Sequence, residues 1–484
     1  MKGGHYSRLK WVRPKPPKKL SLGLAQLAST PVGRALRDAV LSVGLPRAGK
    51  PTNSPRAQTI DLLKAAAEVE HALLTQYLFA AYSIDSAGPA ANLKDVIVEI
   101  AVEEMGHLIT VQNLLRALGA EPYFDRESIW FSGRPAGQYP FPLRFEPLSG
   151  DSLAKYVETE SMPLDCIADK ELYAKLKPIF ERAEKATGTK VNHVGLLYAK
   201  IFWNFQKDDS PHPYWPELPI GIPPIGWHVV DKDLKGLGDE RQVTAAEFGR
   251  TPVTPSDPGA DQVYVIKIDA RDDALFAIAQ IARQGEGYQA GQDSHFNRFV
   301  KAYDDFANSF PTGIRAVPVN PNTLTKKQTK PEIEASRITH PKTLLWAKLF
   351  DVRYQVLLLE LWLGTATKPS VSGALGRAGL FDAALHAEMI RRIQRLANQM
   401  LPEMDLKTDA ESTSKAAAPF ELPDEALPQT EKSVKARLKR LLANAEALAD
   451  EIEKLHAPNA PSAAEKSVLD RMRTDDKPLR DALA

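Results

Sequence analysis

In VEIAVEEMGHLIT (residues 98–110), Glu104 and His107 stand three residues apart, with Glu103 beside them. Residues at i and i+3 share one helical face, so a carboxylate and an imidazole placed there can reach the same cation. The alternative is an exposed helix face carrying an ion pair. With 10 His and 61 Asp+Glu in the chain, about one such pair is expected by chance, so it needs support from elsewhere. Glu70 supplies some. In AAEVEHALLTQYL it falls among Val69, Leu73, Leu74 and Tyr77, and a carboxylate on an apolar stripe is costly unless paired or metal-bound. Glu68 and His71 fall on other faces and are expected in solvent. Glu103 is expected behind the site or in solvent.

Long helices must position these groups. Residues 57–88 keep apolar residues at helical spacing with no proline before the terminal Gly88. Residues 92–120 do the same, opening on Asn92 as a cap and closing at Gly119. Two long helices joined by a short turn pack antiparallel. A short helix is expected at 150–160, a third apolar helix at 192–206, and a fourth at 272–287 followed by 292–306. Residues 207–262 are dense in Pro, Gly and Trp and read as an insertion over the bundle, with QVYVIKI (262–268) as its strand. A loop of that length can serve as a lid. Two later helices, KTLLWAKLFDVRYQVLLLELWLGTA and GLFDAALHAEMIRRIQRLANQML, precede a charged helical tail. The expected organisation is a flexible basic leader (1–55), a bundle with its insertion (56–310), additional helices (311–423) and the tail (424–484).

Bulk properties narrow the function. The 62 Lys+Arg and 61 Asp+Glu give a net charge of +1, without the basic excess expected of a nucleic-acid binder. Cys166 is the only cysteine, so no intrachain disulfide framework exists and a reducing cytoplasm is the expected location. No run has the apolar length of a membrane span, and the basic N-terminus lacks the apolar core of a secretory signal. There is no Gly-rich phosphate loop, Ser nucleophile elbow or zinc-finger spacing. His386 and Glu388 read as surface residues, and Tyr77 and Tyr198 as core. His212, His228 and the tryptophans of the insertion fit a substrate pocket or a packed loop equally.

VEHALLTQYLFAAYSI, VEEMGHL, NLLRALGAEP and ARQGEGYQAGQDSHFNRF together resemble the ferritin-like domain of the iminophenyl-pyruvate dimer synthase type, named for an enzyme of violacein biosynthesis. VPVNPNT, VRYQVLLLELW and ALHAEMIRRIQRLANQM continue the likeness in the same order, from about residue 56 to AAPFELP near 423. The resemblance implies a mainly α fold: a ferritin-like antiparallel four-helix bundle, extra C-terminal helices and a Pro-rich insertion containing little β. It also implies a metal centre built from Glu70, Glu104, His107, Glu286 in QGEG and His295 in DSHF. Iron is the implied metal, as two ions, with manganese or zinc as alternatives suited to carboxylate and imidazole. One position departs from the family pattern. Its third helix carries a glutamate in Thr-Ile-Gly-Glu-Phe-Tyr, whereas this chain reads His193-Val194-Gly195-Leu196-Leu197-Tyr198. Leucine cannot bind a metal; His193, one turn earlier, could substitute or could be a core or capping residue. Loss of the carboxylate would leave one ion, an altered pair or none.

Two functions follow. One is a non-haem iron oxidase or oxygenase acting on a small organic, amino-acid-derived substrate. The other is a non-catalytic ferritin-like scaffold or binding protein with a degenerate site, partnered through its leader or tail or as a homo-oligomer. Iron storage fits poorly, because the insertions would obstruct cage packing.

Overall fold

A computed structural model of the chain describes residues 4–12, 45–48, 54–127, 138–164, 167, 169–208, 212–215, 228–252, 263–286, 293–309, 313–408, 414–423 and 425–484. Helix α1 (Pro55–Tyr82) starts where the Ser54 side chain accepts from the Ala57 N–H and Pro55 occupies the first turn. It is buried on nearly all faces. Helix α2 (Ala91–Ala117) lies along it. The cap of α2 is Ala90 rather than Asn92, and it caps with its backbone position alone. At the other end Gly119 takes φ +68°; its N–H and that of Ala120 bond back to Arg116 and Leu115 at 2.7 and 3.0 Å, satisfying the last carbonyls.

The other two helices of the bundle are each broken. The third consists of α3 (Gly150–Thr159) and α5 (Val194–Phe205), separated by an excursion that contains α4 (Lys170–Thr187). The fourth consists of α6 (Arg271–Glu286) and α7 (His295–Ser309). The halves pair in antiparallel order: α5 packs on α6 and α3 on α7, while α5 also touches α1 and α7 touches α2. The result is a mainly α, ferritin-like architecture. Both breaks bring a chain end to the middle of the bundle, beside Glu70 and Glu104.

Around this core, α8 (Pro341–Ala366) anchors a second helical layer. Helix α9 starts as Arg377–Asp382 and runs on in wider π-helical turns through Ala383–Ile393 and Arg395–Met400. Of the charged tail, α10 (Glu431–Glu453) packs on α8, and α11 (Ala463–Leu483) on α10 and α9. Strands β1 (Lys10–Val12) and β2 (Leu45–Arg47) pair antiparallel, and β2 touches α1 and α5; β3 (Gln138–Tyr139) and β4 (Phe141–Pro142) form a second small pair. Among the described residues no helix is long and apolar enough to cross a membrane.

Several expectations from the sequence are corrected. Residues 263–268 are extended but pair with no strand. Side chains satisfy them instead: Thr110 Oγ donates to Tyr264 O at 2.7 Å, Asn113 Nδ2 to Ile266 O at 2.9 Å and Gln242 Nε2 to Ile268 O at 2.8 Å. Gly106 permits this approach, since a Cβ there would meet Tyr264 backbone at 3.0 Å. Glu68 and His71 are buried, not solvated. Glu68 accepts from the His5 and Tyr6 N–H groups (2.8 and 2.9 Å) and from Tyr123 Oη (2.7 Å), pinning the N-terminal segment to α1, while His71 meets Tyr354 Oη. Glu388 is fully buried, whereas His386 is exposed as expected. In the insertion, His228 stacks on Trp203, and His212 and Trp215 pack edge-on against Phe202.

Candidate metal centre

Four of the expected ligands converge. Glu70 comes from α1, Glu104 and His107 from α2, and His295 from the first residue of α7; all are buried. A fifth group, Glu160, follows directly on α3. Their ligand atoms form two close sets, Glu70–Glu104–His107 and Glu104–Glu160–His295. Glu104 belongs to both, and it offers one oxygen to each histidine. Its Oε2 lies 2.9 Å from His107 Nδ1, and its Oε1 lies 3.0 Å from His295 Nδ1. Glu70 Oε2 stands 3.5 Å from His107 Nδ1, and Glu160 Oε2 stands 3.8 Å from His295 Nδ1. The five line a small cavity whose remaining wall is largely apolar: Leu73, Val194, Ile281 and Ala282.

The far sides of both rings are fixed. His107 Nε2 donates to Gln284 Oε1 at 2.7 Å, and His295 Nε2 donates to Glu103 Oε2 at 2.8 Å. Each acceptor can only accept there, so each Nδ1 faces the cavity. Gln284 Nε2 donates at 3.1 Å to the same Glu103 oxygen, which also pairs with Arg298. The outer carboxylates are held by tyrosines: Tyr77 Oη donates to Glu160 Oε1 at 2.5 Å, and Tyr198 Oη donates to Glu70 Oε1. Burial, reinforced by the neighbouring carboxylates, pushes both phenols well above their ordinary pKa, so they remain donors.

Comparison with known proteins bears on the fold. Residues 63–213 match the ferritin-like family model, a span that contains Glu70, Glu104, His107 and Glu160. This chain carries a ferritin-like domain. Two relatives are 2-imino-3-(indol-3-yl)propanoate dimerase of Chromobacterium violaceum and dichlorochromopyrrolate synthase of Lentzea aerocolonigenes. The first is 31% identical over 166 residues, which is 28% of this chain and 16% of that protein. The second is 24% identical over 289 residues, 53% of this chain and 25% of that protein. The chain thus spans a quarter or less of each relative's length. No solved structure matches it.

The residues of the ferritin-like centre fit a metal. His295 Nδ1 is buried and makes no aligned hydrogen bond, although two carboxylates stand near it; an imidazole nitrogen and carboxylate oxygens so grouped are a donor set that suits a cation. Without a cation the cluster relies on protons. Burial alone would push His107 down, but Glu104 and Glu70 reverse this and hold it up at about 10. His295 behaves likewise: burial opposes its charge, and Glu104 and Glu103 raise its pKa well above the ordinary value. Burial and Glu104 push Glu70 up to about 8. Glu104, which burial would raise, is held well below the carboxylate range by His295 and His107. A bound metal would displace such protons.

His193 is not part of the centre. It occupies the N-cap position of α5, and its Nδ1 lies 2.9 Å from the carbonyl oxygens of both Glu158 and Ser161. Burial lowers its pKa to about 4, so it is a neutral donor to backbone. Leu196 is fully buried in the core, and the carboxylate that reaches the cluster beside it is that of Glu160, from the other side of the break. Glu286 ends α6; its side chain lies outside the described residues. Among the described residues, none of the insertion's aromatic side chains lines the cavity. Sequence reasoning passed over Glu160 and Gln284. Leu153, Tyr156, Val157 and Glu160 repeat the i, i+3, i+4, i+7 spacing that singled out Glu70. Gln284 stands one turn after Ile281 on the cavity side of α6, a polar residue on an apolar stripe.

Proposed function

We propose that this chain is a non-haem iron oxidase or oxygenase with a two-iron centre, acting on a small organic substrate derived from an amino acid. Glu70, Glu104 and His107 would hold one ion, and Glu104, Glu160 and His295 the other. The observation that carries this reading is Glu104, which presents one oxygen to each histidine as a bridging carboxylate does. Bound iron would supply the reduction of dioxygen and the oxidation of the substrate. The chain's own part is geometric and electrostatic. Three carboxylates would neutralise the ions, Tyr77 and Tyr198 fix the two outer ones, and Leu73, Val194, Ile281 and Ala282 give the cavity an apolar wall. The donor set also suits manganese or zinc.

The substrate class is taken from the relatives' names. One is named for a 2-imino acid carrying an indole, the other for a chlorinated chromopyrrolate. An imino acid of an aromatic amino acid is therefore the substrate to try first. The test is dioxygen uptake by ferrous-loaded protein, with and without an indole-bearing 2-imino acid. Substrate-dependent uptake that disappears in Glu104→Ala is expected. Tight metal binding with no uptake above free ferrous ion would favour the non-catalytic scaffold instead.

A further inference from the structure

The two halves of the centre correspond group by group. Glu70 receives Tyr198 as Glu160 receives Tyr77, and each histidine turns Nδ1 toward Glu104. The correspondence fails behind the rings. His107 donates to Gln284 Oε1, a neutral amide oxygen, whereas His295 donates to Glu103, a carboxylate. A hydrogen bond to an ionised acceptor is roughly twice as strong as one between neutral groups, and a carboxylate behind a ligating imidazole raises its basicity toward the metal. Arg298 pairs with Glu103, so the pair adds no net charge near the ions, and the difference lies in the hydrogen bond itself. Gln284 also donates to that Glu103 oxygen. One carboxylate therefore supports His295 directly and His107 only through an amide.

We propose that Glu103 and Gln284 are positioning residues that make the two metal sites unequal: the Glu104–Glu160–His295 site fills first, and the Glu70–Glu104–His107 site fills second and more weakly. This rests on the two-metal reading above.

The test is a calorimetric titration of the full-length, metal-stripped chain with Zn²⁺, a redox-silent probe, against a competing chelator. Two binding events of different affinity are expected, and His295→Ala should remove the tighter one. Glu103→Gln, which keeps the shape and an acceptor oxygen, should weaken the tighter event by about 10–100-fold and leave the weaker one in place. The double exchange Glu103→Gln with Gln284→Glu (E103Q/Q284E) moves the carboxylate behind His107 and should invert the order, so that His107→Ala now removes the tighter event. Repulsion between ions across Glu104 also makes the second weaker, but it would survive E103Q unchanged. Two events whose ratio is unaltered by both variants overturn the proposal while leaving the two-metal reading intact. A wild-type chain that binds no Zn²⁺ overturns the two-metal reading itself. Circular dichroism identifies a variant that has failed to fold, and the exchange variant then carries the test.

Discussion

Two of the buried charge clusters in this molecule are neutralised in opposite ways. Under α8, α9 and α11, Arg353 is completely buried; its Nε donates to Glu388 at 3.0 Å, and its Nη1 and Nη2 donate to Asp476 at 2.8 and 2.7 Å. Arg392 joins the same acids, lying 2.9 Å from Asp476. Arginine is a permanent cation with donors in a fixed fork, so the chain supplies its own counter-charge and fastens the tail to the second layer. In the metal centre, Glu70, Glu104 and Glu160 face two histidines, which become cationic only by taking up protons. Buried acids matched by guanidinium groups carry their own permanent counter-charge; buried acids matched only by imidazoles, around a cavity, rely on protons and could hold a cation instead.

The largest predicted effect is on metal content. Glu104→Ala removes the one carboxylate common to both sets, and the variant should retain neither ion when metal is measured after ferrous reconstitution and desalting. If one ion stays bound, Glu104 is not a bridge. Arg353→Met breaks the other cluster by leaving Arg392 as the one guanidinium facing Glu388 and Asp476, and removing one partner from such a buried group costs up to about 3–5 kcal/mol. Denaturant unfolding measures it, and metal per folded chain should be unchanged; metal loss there would show that the two clusters are not independent. Tyr77→Phe removes one hydrogen bond to a buried carboxylate, worth about 1.5–3 kcal/mol of stability in the metal-free protein. Its metal count should stay at the wild-type value, and a drop would make Tyr77 more than a support for Glu160. His193→Ala should have the smallest effect on the centre, with unchanged metal stoichiometry.

Much of this was legible in the sequence where helical spacing carries the information. Glu70, Glu104 and His107 lie in long unbroken helices, so spacing alone assigns their faces. The same reasoning misjudged Glu68 and Glu388, because a helix packed on several sides has no solvated face, and only the tertiary arrangement shows which partners each buried acid finds. Glu160 was missed for a different reason. Third-helix residues were sought in one continuous segment, whereas the helix is divided between α3 and α5 by an excursion that holds α4. With the ligand sought in α5, Leu196 looked like a loss and His193 like its replacement. The extended run 263–268 misled in another way: its alternation suits a strand, but its hydrogen-bond partners are the Thr110, Asn113 and Gln242 side chains, which no strand propensity reveals.

The central claim is that these five side chains form one centre for two cations joined by Glu104. Metal analysis of the full chain, reconstituted anaerobically with ferrous ion and freed of excess, tests it most directly. About two iron ions per chain are expected, as in carboxylate-bridged bundles. Less than about half an equivalent of iron, with manganese and zinc equally absent on parallel loading, would contradict it.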